Sequence, residues 1–528
     1  MILPASKTQA KTMAKTGLNQ TQPAGAATVG TLLCLLVITL MAGALFLGFT
    51  ADDALITFRY GQSLIEHGVW NWNGDSKELV EAYTNPIYAF LSIIPHACGL
   101  NVLLFFKLLG VGEILLVLLI LWRASQRDFL RFLMVALFTT LNLAFFIHAF
   151  AGLETLLYFA LVLHVLTSNR QQLATPVQAS LILLAPLVRP EGALISLYLL
   201  HVIFSYRHAG TTQFAARKYA IAFVLLGAAY FAGRYAYFGQ LLPNTFYVKS
   251  GAGLSTWLYN LYIERQYLIL VALAFAWLAH RKTDLLFPAM QLAGFLIVNL
   301  TSDLQMNYAS RFSFQAIFPI VVYGFIVLVR ELDYQALRRN ILLPAALSAS
   351  SLLLVAPKEI TTLLTWYPYG LQSHAALGHA LEKFSGKDYV LAVGDAGILP
   401  YLADWHTIDY IGLANRSIAR HVHDGSRPVF PRPDLIVMYG ATSSCQSRNM
   451  HFKGAEAFYA EINLNEYVCV SGPRWSDYYY LHGLIRKDNP DIGALSAIFQ
   501  QAGKASEQYS RQDVMSDILS FRSVLRLY

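Results

Sequence analysis

The sequence predicts a polytopic α-helical membrane protein that ends in an α/β domain, and its composition indicates this fold class. Of 528 residues, 56% are apolar and only 13% are charged, whereas a soluble protein carries about a quarter charged residues. The charge is also uneven, because residues 358–528 hold 16 basic and 17 acidic side chains. This composition excludes disorder, a coiled coil and a purely soluble enzyme. The net charge of +7 fits basic loops beside lipid and not a nucleic-acid surface.

Eleven apolar runs predict eleven transmembrane helices in residues 29–357, after a cytoplasmic N-terminal tail of residues 1–28. The runs lie near residues 29–49, 102–122, 129–147, 153–168, 175–188, 193–206, 219–238, 259–280, 285–301, 315–330 and 341–357. The first run is too long for the apolar core of a signal peptide and lacks a convincing cleavage site, so we interpret it as an uncleaved span. Fusing or splitting the short runs in 153–206 would change the number.

The distribution of lysine and arginine orients these spans. With the N-terminus in the cytoplasm, 15 of the 23 basic residues before position 358 face the inside, and most acids of this region fall in outer loops. We therefore expect a multi-pass protein of the bacterial inner membrane, with residues 358–528 in the periplasm. In that domain, residues 389–393 and 435–438 are predicted as buried strands. Cys445 and Cys469 are a candidate disulfide there, or two unrelated buried thiols.

The first outer loop, residues 50–100, holds the most informative motif. It contains two short amphipathic segments, near 54–67 and 85–98, which we expect on the membrane surface. Two adjacent acids open the loop, in the segment Asp52-Asp53-Ala54-Leu55-Ile56-Thr57-Phe58-Arg59-Tyr60. One Asp there could simply cap an interfacial helix. A second adjacent Asp is not needed for capping, and acids at the membrane are costly, so the pair favours a functional site.

Other predicted outer loops also carry ionisable or amide side chains, whereas the inner loops are mainly basic. Each of these side chains alone could belong to ordinary loop chemistry, such as a helix start or a surface ion pair. Together they predict one shared extracytoplasmic cavity at the bilayer surface. These side chains belong to Glu154, Arg189, Glu191, Asn244, Tyr247, Lys249, Asp303 and Arg311, and the first outer loop adds Glu81, Tyr83 and Asn85.

A cavity with carboxylates and cations at the lipid boundary suits the transfer of a sugar from a lipid-linked phosphosugar. Arginine and lysine would hold the phosphate of the donor. An Asp would remove the proton of the acceptor hydroxyl as general base. Inversion at the anomeric carbon needs a base opposite the leaving phosphate and no covalent intermediate, by the same logic as in inverting glycosidases.

These motifs resemble the membrane glycosyltransferases of the GT-C fold, and among them the arabinofuranosyltransferase branch typified by the mycobacterial terminal β-(1→2)-arabinofuranosyltransferases. The likeness runs from about residue 50 to about residue 415. It is carried by the Asp52–Tyr60 segment, Val80–Pro86, Gly152–Thr155, Arg189–Gly192, Pro243–Lys249, Gly394–Gly397, Ile408-Asp409 and Gly412-Leu413. Leu55 stands where relatives often carry Tyr, and the tail is shorter than in the mycobacterial enzymes. These departures leave the acceptor open between arabinan, pilin, lipopolysaccharide and another glycan.

The resemblance implies a decaprenyl- or undecaprenyl-phosphoarabinofuranose donor, an extracytoplasmic acceptor glycan or protein, membrane lipid as a partner and no nucleic acid. It implies Asp52 as catalytic base, with Asp53 as its neighbour or the alternative base. The implied donor-phosphate ligands are Arg59, Arg189, Lys249 and Arg311. The implied sugar- or acceptor-binding residues are Glu81, Tyr83, Asn85, Glu154, Glu191, Asn244, Tyr247 and Asp303.

This chemistry requires no cofactor, although Asp52, Asp53 and Glu81 could hold a divalent cation, Mg or Ca, through oxygen ligands. Two other classes of function stay open. A transporter or flippase of a lipid-linked glycan would place charges at the bilayer midplane, whereas the polar motifs here are predicted at one face. A non-catalytic envelope or motility factor should have lost the acid pair, which this chain retains.

Overall fold

The structure is a computed structural model that describes residues 24–205, 211–250, 253–302, 307–339, 342–354, 372–445, 452–474 and 479–519. Most of the predicted N-terminal tail and the predicted site residue Asp303 lie outside these ranges. The described chain consists of a helical membrane region, residues 24–354, and a C-terminal unit, residues 372–519, that contains the β-sheet.

The membrane region consists of helices joined mostly by short loops. Its α-helices are α1 (Ala24–Gly43), α2 (Asp52–His67), α3 (Pro86–Leu91), α4 (Ile93–Ala97), α5 (Val102–Ala124), α6 (Phe129–Leu141), α7 (Ala144–Phe150), α8 (Thr155–Thr167), α9 (Arg170–Leu173), α10 (Pro176–Ala179), α11 (Leu181–Val188), α12 (Ala193–Ser205), α13 (Thr211–Phe238), α14 (Asn244–Lys249), α15 (Leu254–Ile263), α16 (Arg265–His280), α17 (Leu286–Thr301), α18 (Arg311–Ala316), α19 (Phe318–Glu331), α20 (Tyr334–Arg339) and α21 (Leu342–Ala349). Short 3-10 helices lie at Ala44–Phe46, Pro190–Gly192, Tyr308–Ser310 and Ser350–Leu354.

The lengths of these helices bear on the predicted spans. Among the described residues, three helices are long and apolar enough to cross a bilayer: Ala26–Phe46, Val102–Ala124 and Thr212–Phe238. The number rises to six if the bent pairs at residues 129–150, 254–280 and 308–331 are each one span. The other predicted runs form shorter apolar helices, and α8, with 13 residues, covers about 20 Å of a hydrocarbon core of roughly 30 Å. Eleven spans therefore remain a prediction.

The seventh predicted span begins earlier than its apolar run indicates. Helix α13 begins at Thr211, whereas the apolar run begins near residue 219. Arg217 belongs to the helix because its guanidinium donates hydrogen bonds to the carbonyl oxygens of Ile203 (3.4 Å) and Phe204 (3.3 Å) at the end of α12. A basic side chain with such acceptors extends a helix beyond its apolar part.

The first outer loop contains the two predicted amphipathic segments, and both are confirmed as helical: the first is α2 and the second is the pair α3 and α4. Helix α2 ends at Gly68, whose φ of 72° lies in the left-handed region that glycine adopts without strain. Its N-terminal part is buried, whereas Glu66 and His67 near its end are exposed. Helix α3 starts with Pro86. The first N–H groups of a helix have no partner within it, so the lack of an N–H in proline costs no hydrogen bond here.

The C-terminal unit is a mixed α/β structure. Its elements are α22 (372–382), β1 (Val390–Val393), α23 (Ile398–Ala403), β2 (His406–Asp409), α24 (Arg416–Asp424), β3 (Leu435–Gly440), α25 (Lys453–Glu461), β4 (Tyr467–Val470), β5 (Tyr480–Arg486), α26 (Ile492–Gln508) and α27 (Arg511–Leu519). Strands β1 and β3 confirm the two predicted strands. The described sheet has the order β2-β1-β3-β5-β4, in which β1 is parallel to β2 and β3, and β5 is antiparallel to both of its neighbours. A disulfide joins Cys445 and Cys469.

Helices cover both faces of this sheet, and one of its turns docks on the membrane region. Leu391 and Val393 of β1 pack with α22 and α26 on one face, while Ala392 packs with α24 and α25 on the other. Ile398 of α23 belongs to the apolar core of the membrane region. Ala396, in the turn after β1, packs against the first outer loop. The carboxyl end of β1 therefore faces α2 and its two acids.

Candidate active site

Asp52 is the first residue of α2 and contacts the turn that follows β1. Its carboxylate accepts hydrogen bonds from the backbone N–H groups of Gly397 (2.9 Å) and Ile398 (2.8 Å). The approach requires glycine, because a Cβ on Gly397 would collide with the carbonyl and carboxylate oxygens of Asp52. Burial, with a contribution from the neighbouring carboxylate of Asp395, raises the pKa of Asp52 to about 7. The predicted base thus lies at the junction of the two parts of the molecule.

A His–Asp pair of the C-terminal unit interacts electrostatically with Asp52. The carboxylate of Asp395 lies 3.3 Å from Nε2 of His374 on α22. The hydroxyl of Tyr439 accepts a hydrogen bond from the backbone N–H of Asp395 (3.1 Å) and lies 3.4 Å from Nε2 of His374. We call Asp52, Asp53, Asp395 and His374 the Asp52 corner. No role was predicted for Asp395 or His374, although Asp395 lies in the Gly394–Gly397 segment, which carries part of the family resemblance and follows a predicted strand.

Glu154 is the centre of a second cluster, and its side chain is fully buried. It pairs with Arg189, accepts a hydrogen bond from the amide of Asn85, and lies 3.3 Å from Nη2 of Arg311. Arg189 also pairs with Glu191 at 3.2 Å. We call Glu154, Arg189, Arg311 and Asn85 the Glu154 corner. The structure therefore brings these predicted residues together from loops that are far apart in the sequence.

Arg311 connects the two corners. Its Nη1 lies 3.8 Å from the carboxylate of Asp53, while its Nη2 reaches Glu154. Its Nε is buried and has no hydrogen-bond partner among the described residues. A buried donor without a partner costs about 1–3 kcal/mol. Arg311 therefore keeps a donor available to a ligand, and the predicted cation Arg59 likewise has a buried Nη1 without a hydrogen-bond partner among the described residues.

Arg59, a predicted donor-phosphate ligand, contacts the C-terminal unit in the structure. It lies seven residues after Asp52, about two turns along the same face of α2. Its Nη2 donates to the carbonyl oxygen of Trp405 (2.8 Å), and its guanidinium lies 4.6 Å from the centre of the Trp72 ring. The side chain is buried by these contacts. Arg59 therefore fastens α2 to the C-terminal unit.

Glu81 is paired within the membrane region, whereas Asn244 contacts the C-terminal unit. Nε of Arg234, on α13, donates to the carboxylate of Glu81 at 2.6 Å, and both side chains are buried. The side-chain amide of Asn244 donates to the carbonyl oxygens of Gly412 (2.7 Å) and Leu413 (3.0 Å). Arg234 was missed because it lies inside a predicted span, where its role could not be recognised without the position of Glu81.

The expected cation ligands Asp52, Asp53 and Glu81 are not brought together, because Glu81 is held by Arg234. In the part of the chain that the structure describes, the group of three whose ligand atoms lie within 4.8 Å of one another is Glu66, His67 and Asp404, at the exposed end of α2.

Three further predicted residues lie near the corners without joining them. The hydroxyl of Tyr83 accepts a hydrogen bond from the indole N–H of Trp70 (3.1 Å). The ring of Tyr247 packs edge-on against His423 at 5.3 Å between centroids. Lys249 is partly buried at the end of α14.

A largely apolar groove opens beside the Glu154 corner. Its volume is about 440 Å³, and it lies between α11, α12 and α13. Apolar side chains such as Ile182, Leu197, Phe223 and Phe231 form most of its wall. Pro190, which separates Arg189 from Glu191, and Pro86, which follows Asn85, are also part of the lining. The charged residues in the lining itself are Glu81 and Arg234.

Comparisons with known proteins give the following relationships. The family described as Domain of unknown function (DUF8728) matches residues 365–492. No curated protein matches the chain in sequence. The crystal structure of ArnT from Cupriavidus metallidurans bound to undecaprenyl phosphate is similar, with a TM-score of 0.49 and 13% sequence identity, over 86% of this chain and 98% of that chain. The proposal that follows is based on the geometry of the site.

Proposed function

We propose that this chain is a polyprenyl-phosphate-dependent glycosyltransferase of the GT-C fold. It would move a pentose, D-arabinofuranose, from polyprenyl phosphate to an extracytoplasmic acceptor glycan or protein, with inversion. The observation that carries this proposal is a set of two adjacent acids and an arginine–carboxylate cluster, two sequence neighbours of which, Pro86 and Pro190, line an apolar groove. The disulfide between Cys445 and Cys469 supports an oxidising compartment for the C-terminal unit.

The groove suits the lipid part of the donor. Its wall is mostly apolar, as binding of a prenyl chain requires. Its charged residues, Glu81 and Arg234, are already paired with each other. Their charges therefore add little cost when an apolar chain is placed against the wall.

The cations beside the groove suit the phosphate. Arg311 has an unpartnered Nε, and its distances to Glu154 and Asp53 are 3.3 and 3.8 Å. These are long for charge-assisted hydrogen bonds, which are about 2.7–2.9 Å. A phosphate oxygen would be a closer partner for this guanidinium. Arg189 would contribute positive charge from the other side of Glu154.

Asp52 would act as the base. Its carboxylate removes the proton of the acceptor hydroxyl, and the hydroxyl oxygen forms a bond to the anomeric carbon. The bond from that carbon to the phosphate oxygen breaks, and its electron pair leaves with polyprenyl phosphate, whose charge Arg311 and Arg189 offset. A pKa of about 7 leaves Asp52 half ionised at neutral pH, mostly ionised above it, and still basic enough to take a proton.

The test is consumption of polyprenyl-phosphoarabinofuranose by purified protein in lipid nanodiscs with an envelope extract as acceptor, followed as release of polyprenyl phosphate. We expect Asp52→Asn to lower turnover by about 10²–10⁴. Asp53→Asn should lower it less if Asp53 only orients Arg311. Glu66→Gln is the matched control, because Glu66 lies on the same helix and is exposed.

The outcomes separate the parts of the proposal. Release in the wild type that survives both Asp substitutions unchanged would show that the base lies elsewhere. A larger loss in Asp53→Asn than in Asp52→Asn would make Asp53 the base. If the wild type releases no polyprenyl phosphate from any polyprenyl-phosphosugar supplied, the transferase proposal is wrong.

A further inference from the structure

We infer that His374 and Asp395 of the C-terminal unit are a positioning pair for Asp52, so that this unit completes the reaction site. The inference rests on the proposed function, since it assigns a task toward the same base. It goes further because both residues lie outside the membrane region, and neither has a role predicted from the sequence.

The topology of the sheet places this pair where such a site is expected. Strand β1 has β2 on one side and β3 on the other, and all three strands are parallel. The chain leaves β1 to form β2 and then crosses to the other side of β1 to form β3, so the order reverses between β1 and β3. Functional groups of open α/β sheets lie outside the carboxyl ends of strands at this point. Asp395 follows β1, and Tyr439 lies near the end of β3.

The contacts make the pair a defined unit. His374 is buried, and its Nε2 lies 3.3 Å from the Asp395 carboxylate and 3.4 Å from the Tyr439 hydroxyl. That hydroxyl accepts the backbone N–H of Asp395, which fixes the turn relative to β3. The same turn supplies the N–H groups of Gly397 and Ile398 to Asp52. One rigid turn therefore holds both the carboxylate of Asp395 and that of Asp52.

The charges facing Asp52 come from each element around it. Asp53 on α2 and Asp395 in the turn are like charges, and the His374 imidazole on α22 has the opposite effect when protonated. Arg311 on α18 lies close to Asp53 and not to Asp52 in the ion pairs of this site. Burial raises the pKa of Tyr439 on β3 well above its usual value, so this residue stays neutral and contributes no charge. Asp395 and His374 thus change the pKa of the Asp52 carboxylate in opposite directions. Burial is the largest cause of the raised pKa of Asp52, and the balance of these two groups adjusts it.

The two substitutions should therefore act in opposite directions. Asp395→Asn removes a like charge, so Asp52 should ionise at lower pH, and the acidic limb of the kcat/KM profile should move down by about one pH unit. His374→Gln leaves Asp395 uncompensated, so the limb should move up. Asp395→Glu keeps the charge and should restore the position of the limb even if it lowers the plateau.

A second readout does not depend on turnover. Carbodiimide reacts with protonated carboxyls, so the pH at which labelling of Asp52 falls by half, measured by peptide mass spectrometry, should move in the same two directions. The matched control is the other His–Asp contact with α2, His67 and Asp404 at 3.2 Å. Asp404→Asn should leave both the profile and the labelling midpoint unchanged.

The two proposals can fail separately. If Asp395→Asn and His374→Gln lower kcat at all pH values without moving the profile or the labelling midpoint, the pair is merely structural and the inference is wrong. If the wild type consumes no donor but the labelling midpoints move as expected, the proposed function fails while the control of Asp52 by the pair stands.

Discussion

The Asp52 corner and the Glu154 corner hold their carboxylates in opposite ways. Glu154 is fully buried and receives two guanidinium groups and an amide. Asp52 receives two backbone N–H groups, and Asp395 is a like charge beside it. A carboxylate with cationic partners stays ionised, whereas one with only dipolar partners and like charges can exchange its proton near neutral pH. The contrast indicates that Glu154 holds the neighbouring cations in place, whereas Asp52 can act as a base.

The largest effect on stability is therefore expected at Glu154. Glu154→Gln would leave Arg189 and Arg311 buried without their shared carboxylate, and breaking a buried ion pair from one side costs about 3–5 kcal/mol. We expect a matching loss in the free energy of unfolding, measured by denaturant titration in detergent. The control is Glu331→Gln, whose pair with Arg281 is exposed and should contribute about 0–1 kcal/mol. Equal losses in the two variants would contradict the contrast between the corners.

The next effect concerns phosphate binding by Arg311. Arg311→Gln removes a charged donor from the proposed phosphate position, and a hydrogen bond to a charged group contributes about 1.5–3 kcal/mol. The Kd for polyprenyl phosphate, measured by displacement of a fluorescent analogue, should rise about 10- to 100-fold. Arg281→Gln, which removes an exposed guanidinium, should leave it unchanged. An unchanged Kd in an Arg311→Gln protein that keeps its unfolding midpoint would rule out this phosphate position.

The acidic limb of the pH profile is a direct test of the Asp52 corner. The pKa of Asp52 is raised to about 7, above the usual value of 3.8, and the active form of a base is the carboxylate. Activity should therefore rise with pH up to about 7 and then level off, with a loss of about tenfold between pH 8 and pH 6. A wild-type profile that stays flat down to pH 5 would mean that Asp52 keeps an ordinary pKa or is not the base.

How much of this could be predicted from the sequence differs between the two corners. Asp52 and the α2 helix were predicted because amphipathic spacing and an unneeded second acid are local signals. His374 and Asp395 were not, because they meet Asp52 only through the tertiary docking of residues more than 300 positions away. The interface contact of Arg59 was not predicted for a related reason: its partner, the carbonyl oxygen of Trp405, lies far away in the sequence. The number of spans is hard to predict for a similar reason, because the length of a 13-residue helix such as α8 does not show whether it crosses the bilayer.

The smallest expected effect is in the groove, and it tests whether the Glu154 corner faces a lipid. Ala228 on α13 lines the groove, whereas Ala229, one residue later, points elsewhere on the same exposed helix. Ala228→Trp would displace part of a bound prenyl chain at about 0.8 kcal/mol per methylene, so KM for the polyprenyl donor should rise about fourfold or more. Ala229→Trp is equally bulky and should not change KM. Because the corner acts on the sugar and phosphate, kcat should stay the same in both variants. With a donor whose prenyl chain is too short to reach Ala228, the two variants should have the same KM. If their KM values still differ with that donor, the groove serves something other than the lipid.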